Sequence, residues 1–292
     1  MSFSEIGQQL RAYRMESGLK AEEISARLGI SRAALYRYEK GEVIKLETIH
    51  RLAELLCISP LTLLGIGVEY YTRPASYAER LRQIEEACDH IIQFFGPVCY
   101  LLTSELYDDV LNQILEEHAA NTGLDSSANQ AATTQLMEIM LARKKNYQAR
   151  KPSVISILTL TSIQKFLVEG MAPAARISTS SRDKARKLAR AEMELVADLM
   201  ESEPLGLQLG IAIKEEPNGP FALFRSGERV SLAINPFPAD SLPGTQSGVA
   251  MITNAEDAVA AHHRISEHVW PEIMKGSAAA RKLRDLIAVV KQ

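Results

Sequence analysis

The chain has 292 residues, 46% of them hydrophobic, a formal charge of −3 and three scattered cysteines. That length supports two domains with a real core in the larger, and no run of about 18 uncharged apolar residues offers a membrane span. The opening MSFSEIGQQL lacks the basic-then-apolar pattern of a secretory signal, and Cys57, Cys88 and Cys99 have no ligand-type spacing, so buried free thiols in a reducing cytoplasm are expected.

The first informative stretch runs from Leu19 to Gly41. Ile24 and Leu28, then Leu35 and Tyr38, give two short helices an inward face at helical spacing. Gly29 between them suits a positive φ at a helix end, and Ser31 is a natural N-cap for the second helix. Ser25 is small enough for the helices to cross closely. Arg32, Ala33, Tyr36, Arg37 and Lys40 are left pointing outward from the second helix, a surface suited to DNA. In the major groove, Arg32 at the helix start is the candidate for a bidentate contact to guanine. Arg37 suits base or phosphate, and Ala33 offers a methyl. Tyr36 and Lys40 suit phosphate, which positions without specifying.

With these residues in place, positions 6 to 64 resemble the DNA-binding domain of Cro-like, or XRE-family, bacterial regulators, a five-helix lambda-repressor-like bundle. The likeness continues through Ile6–Arg14 as first helix, Leu46–Leu56 as fourth and Ser59–Leu64 as last. It implies that Glu39 pairs with Arg14 to fix the recognition helix. It also implies a DNA-facing set of Lys20, Ser31, Arg32, Ala33, Tyr36, Arg37 and Lys40. One departure is Ala21, where the family usually has Gln; Lys20 offers a point charge instead. Residues 1–64 carry nine Lys/Arg against eight Asp/Glu. So weak a net charge leads to the expectation of a dimer on two half-sites about one helical turn apart.

Gly, Pro and aromatic residues mix over 66–76, which is expected to be a linker between a DNA-binding domain (1–65) and a second domain (77–292). Tyr77–Phe94 then has a helical apolar pattern that suits either a dimer interface or core packing. Residues 95–102 are apolar and lead to helices beginning at Thr103-Ser104 and, after a polar break from Gly123 to Gln130, at Ala131. Val154–Leu160 reads as a strand, with Thr161-Ser162 capping the following helix, which ends near Gly170. A long helix spans 183–200. Leu207–Lys214, Phe221–Arg225 and Arg229–Asn235 suggest an antiparallel meander turning at Asn218-Gly219 and Ser226-Gly227. A strand at Gly248–Thr253 and helices at 255–270 and 278–290 complete an α/β or α+β domain.

This layout is similar to the phospholipase-D-like sensor domains of some bacterial regulators, the shared points being the meander, Gly248–Thr253 and a helix ending at Trp270. None of the six histidines starts the HxKx4D motif of the enzymes, and GxSxG, P-loop, GxGxxG and HExxH motifs are missing too. No catalysis, cofactor or metal is therefore expected. The cluster His262, His263, Glu267 and His268 is expected to be solvated or core-edge, and the basic run Arg182, Lys184, Arg186, Lys187, Arg190 a solvated helix face balanced by Glu192 and Glu194. The expectation is a cytoplasmic, homodimeric transcription factor that binds an operator and responds to a small-molecule effector. The alternatives are an antitoxin- or phage-type regulator with a protein partner, or an enzyme fused to the DNA-binding domain.

Overall fold

The computed structural model describes residues 3–64, 67–94, 96–121, 126–213, 219–235 and 248–290. The chain opens with α1 (Phe3–Ser17), α2 (Ala21–Leu28), α3 (Arg32–Glu39), α4 (Leu46–Leu55) and α5 (Pro60–Leu63). These helices close around Leu10, Ile24, Leu35, Leu52 and Leu63, each fully buried. The last starts as its residues dictate. Ser59 accepts a hydrogen bond from Thr62 N, and Pro60 takes the first helical position, where no N–H is needed.

Next come β1 (Val68–Tyr71), α6 (Pro74–Glu85), β2 (His90–Phe94), α7 (Glu105–Asn121) and α8 (Ser126–Arg150). The order continues with β3 (Ser153–Thr159), α9 (Leu160–Glu169), α10 (Thr179–Ser202), β4 (Leu207–Ala212), β5 (Phe221–Ser226), β6 (Arg229–Ile234), β7 (Ala250–Thr253), α11 (Glu256–Val269), β8 (Met274–Lys275) and α12 (Gly276–Val290). Among the described residues the strands form one sheet in the order β1-β7-β6-β5-β2-β3-β4-β8. The β2/β3 and β3/β4 pairs are parallel and the others antiparallel. The larger core joins Ile91, Val154, Leu209 and Phe224 of the sheet to helix residues such as Leu81, Met137, Met193 and Leu283. On the second core, Phe94, Ile157, Phe221 and Leu223 pack with Val269 of α11, and the Phe94 and Phe221 rings stack at 4.7 Å.

Several expectations are corrected. The stretch expected as a linker contains β1, in register with β7 (Tyr71 opposite Ala250), and the proline-led start of α6. The helix expected over 77–94 stops at Glu85. Ile91 and Ile92 belong to β2, their side chains in opposite cores, and a strand buried on both faces shows a near-continuous apolar run that helical spacing also fits. Within the apolar stretch 95–102, Tyr100–Leu102 forms a 3-10 turn. The helix expected from Ala131 starts at Ser126, and the one after β3 is capped by Thr159, which accepts from Ser162 N. β4 takes no part in the meander, because α9 and α10 carry the chain across to pair it parallel with β3. The meander is β5-β6-β7. Gly65, Ile66, Phe95, Gly123, Lys214 and Asn218 of the expected features lie outside the described residues.

α1 belongs to the helical bundle and to the sheet at once. The Tyr13 ring stacks on Tyr71 of β1 at 5.4 Å, and Tyr71 meets Tyr77 at 6.3 Å. The buried Glu69 carboxylate accepts from Gln9 Nε2 (2.8 Å), Tyr71 OH (2.7 Å) and both Nε and Nη2 of Arg80 (2.8 and 2.9 Å). All of its charge is met by donors, which is what burial of a carboxylate requires. Burial opposes the Arg80 charge, yet Glu69 overrides it and the guanidinium is held above its ordinary pKa. At the end of α1, Glu16 accepts from Thr72 N, Thr72 Oγ1, Arg73 N and Ser76 Oγ. A carboxylate thus sits on the N-terminus of α6, where the helix dipole favours it. Arg11 of α1 also reaches Glu79 of α6 at 3.2 Å.

Candidate nucleic-acid interface

The turn between α2 and α3 has the geometry its residues imply. Gly29 has φ 68°, and Gly29 N and Ile30 N donate to Ala26 O and Ser25 O, closing α2. No atom lies within 4 Å of where a Gly29 Cβ would stand, so the glycine serves the left-handed backbone rather than space. Ser31 Oγ then accepts from Ala34 N at 3.1 Å, capping α3. Ala34 and Leu35 are buried beneath the helix.

The opposite face is open. Ser31, Arg32, Ala33, Tyr36, Arg37 and Lys40 are all exposed along α3 and its ends. Lys20 is exposed at the N-cap of α2. Glu22, the second residue of α2, reaches Arg32 at 2.9 Å, so the start of α2 lies beside the start of α3. Arg37 pairs with Glu42 at 3.2 Å. Both pairs are about half exposed, so each contributes only about 0–1 kcal/mol and yields readily to a phosphate or a base edge. They hold two guanidiniums over the helix surface without locking them.

α3 is fixed from behind. Arg14 of α1 donates to Glu39 through Nε (2.6 Å) and Nη2 (3.1 Å), the fork-to-carboxylate geometry of a strong pair. Burial lowers the Arg14 pKa and Glu39 more than compensates, leaving it raised. The Arg14 guanidinium also stands 6.0 Å from the Tyr36 ring centroid. Gly7 completes the seat. A Cβ there would stand 2.4 Å from Tyr38 O and 2.7 Å from Glu39 O, so α1 and the end of α3 touch backbone to backbone. Gly7 escaped the sequence reading, although an isolated glycine inside a helix is a signal of close packing. Glu16 and Gln9 escaped it too, because their partners lie 56 to 60 residues away.

Lys184, Arg186 and Lys187 of the basic run are exposed, as a solvated helix face requires, while Arg182 donates to Ala172 O and Ala175 O, Arg186 to Val168 O, and Arg190 to Val290 O. His262 Nδ1 meets Ala258 O at 2.9 Å, its ring edge-on to Phe221, and His263 pairs with Glu267 at 3.4 Å. Among the described residues no three His, Cys, Asp or Glu side chains converge on a metal position, and no helix is long and apolar enough to cross a membrane. Cys88 and Cys99 are buried, but Cys57 is exposed, contrary to the expectation of three buried thiols.

A family model described as a helix-turn-helix domain matches residues 5–63. No curated protein matches the chain. The chain therefore carries a helix-turn-helix domain joined to a mixed α/β region.

Proposed function

We propose that this protein is a sequence-specific transcriptional regulator of the XRE, or Cro-like, kind, which binds a palindromic operator as a homodimer. The observation that carries the reading is the capped α3, braced by Arg14–Glu39 and presenting Arg32, Ala33, Tyr36, Arg37 and Lys40 to solvent. Arg32, at the helix start, reads a base edge; Lys20, Ser31, Tyr36 and Lys40 hold phosphates, and Arg37 serves either. One head offers few phosphate contacts, so affinity comes from two heads on half-sites about one helical turn apart. The C-terminal region sets their relative position and responds to a small-molecule effector. The meander followed by α11 supports its likeness to phospholipase-D-like sensor domains. Without the HxKx4D motif we assign it no catalytic step, metal or cofactor.

Fluorescence anisotropy on the protein's own upstream DNA, at several salt concentrations and with random competitor, tests this. Tight binding to one palindrome, weakened by about 1–3 kcal/mol in Arg32→Ala with relaxed preference at one base pair, is the expected result. Equal losses on every sequence would remove Arg32 from base reading. Weak binding that falls with salt alike on all DNA would overturn the operator assignment.

A further inference from the structure

Where α10 ends and β3, β4 and β8 begin, the structure holds a cavity of about 530 Å³. That volume falls within the range of small-molecule sites. Its apolar wall includes Leu199, Met200, Leu205 and Leu207, and Trp270 and Lys275 also line it. Leu205 is fully exposed at the rim.

The charges in this cavity are unequal in freedom. Lys275 is the one Lys or Arg among its described lining residues. Its Nζ stands 3.9 Å from the Trp270 ring centroid, and no carboxylate among the described residues pairs with it. A cation–π contact satisfies an ammonium only in part, leaving donors for an anion. Glu203 is the opposite charge on the lining, and its Oε1 lies 2.9 Å from where a Cβ would stand on Gly276, the first residue of α12. A carboxylate in that position meets the positive end of a helix. His90 and Ser153, on the floor, bond each other through Nδ1 and Oγ. Burial and Arg225 lower the His90 pKa, which disfavours a second cation there.

We infer that this cavity binds a small organic carboxylate with an apolar body, the carboxylate on Lys275 and the body against Trp270 and the leucine wall. That occupancy alters DNA binding rests on the proposed function; occupancy itself does not. Trp270 is the chain's single tryptophan, so its fluorescence reports the site directly. The experiment titrates octanoate, octan-1-ol and octylamine into the full chain without DNA. Octanoate should give a saturable change at lower concentration than either analogue. Lys275→Met, which keeps the apolar stem, should weaken octanoate roughly tenfold while sparing octanol, the loss expected for one charge-assisted hydrogen bond. Gln208→Glu, an exposed change on the same lining, should weaken octanoate severalfold and decides the matter if Lys275→Met fails to fold. No saturable change with octanoate, equal binding of the three probes, or folded variants that bind like the parent would overturn the assignment. A chain that takes octanoate but no operator would keep this site and lose the regulatory reading, and the converse would do the reverse.

Discussion

Glu16→Ala should loosen the docking of α1 on the start of α6 without unfolding the bundle or the sheet. In the native chain the Glu16 carboxylate accepts two backbone N–H groups, Thr72 and Arg73, and two hydroxyls, Thr72 and Ser76. Ser76 Oγ keeps a second partner in Arg73 O at 3.0 Å, so its loss is small. For the two N–H groups the Glu16 carboxylate is the charged acceptor at the start of α6. A hydrogen bond to a charged group contributes about 1.5–3 kcal/mol, and loss of an N-terminal cap about 0.5–2 kcal/mol. These describe overlapping interactions and do not add, so about 2–3 kcal/mol is expected for the local docking. Amide hydrogen exchange at Thr72 and Arg73 should accelerate roughly 30- to 150-fold, since each 1.36 kcal/mol is tenfold. Glu16→Gln, which keeps an acceptor oxygen but no charge, should fall between. The core of the bundle, protected behind Leu10 and Leu35, should exchange as before. Unchanged rates at both amides would refute the reasoning, because the carboxylate would then be a surface group that α6 does not need. Acceleration spread evenly over the whole chain would refute it differently, by showing one cooperative unit.

Three further outcomes are expected. Gly7→Ala drives a methyl to 2.4 Å from Tyr38 O, and the overpacking, about 1–3 kcal/mol, exceeds the roughly 1 kcal/mol gained in helix propensity; a urea midpoint no lower than the parent's would show that α1 and α3 have room to part. Burial pushes the Cys88 thiol up to about 12 and Cys99 up to about 11, whereas Cys57 is exposed; mass spectrometry after brief alkylation should find one modified thiol in the native chain and three in urea. Burial raises the Glu79 pKa, but Arg82 and Arg11 lower it further, to a net value below the ordinary 4.5. Its contribution is thus complete above that value and lost as pH falls through the lowered one, so urea stability should drop on acidification below about pH 4.5, and Glu79→Gln should show a shallower drop.

The helix-turn-helix was legible because its determinants are local: Gly29 for the left-handed turn, Ser31 for the cap, and Leu28 and Leu35 at helical spacing. The Arg14–Glu39 brace came from family likeness, since nothing in a spacing of 25 residues announces it. β2 was hidden because Ile84, Cys88, Ile91 and Ile92 satisfy a helical period, and only the neighbouring β3 and β5 make 90–94 a strand. β4 was found, but its neighbours were not, because choosing between β3 and β5 depends on a crossover through α9 and α10. The short edge strands β1 and β8 carry too few residues for any alternation to stand out. Among the interface candidates, exposure followed from which side of α3 Ala34 and Leu35 bury. The acidic partners of Arg32 and Arg37 did not, being set by how α2 and the loop after α3 return to the helix.

Because α1 is shared between bundle and sheet, it acts as a lever. Its 15 residues span ~22 Å, so a tilt of ~10° displaces its far end by ~4 Å, about one base-pair step along the duplex. α3 rides on that lever through Gly7 and Arg14, and the lever is clamped along β1 and α6 by Gln9, Arg11, Tyr13 and Glu16. If the protein binds as the proposed homodimer, the angular play at this clamp would set which half-site spacings are tolerated. On the proposed dimeric reading, a stiff clamp would admit a single spacing, and a change of a few degrees at the sheet edge would favour a different operator length.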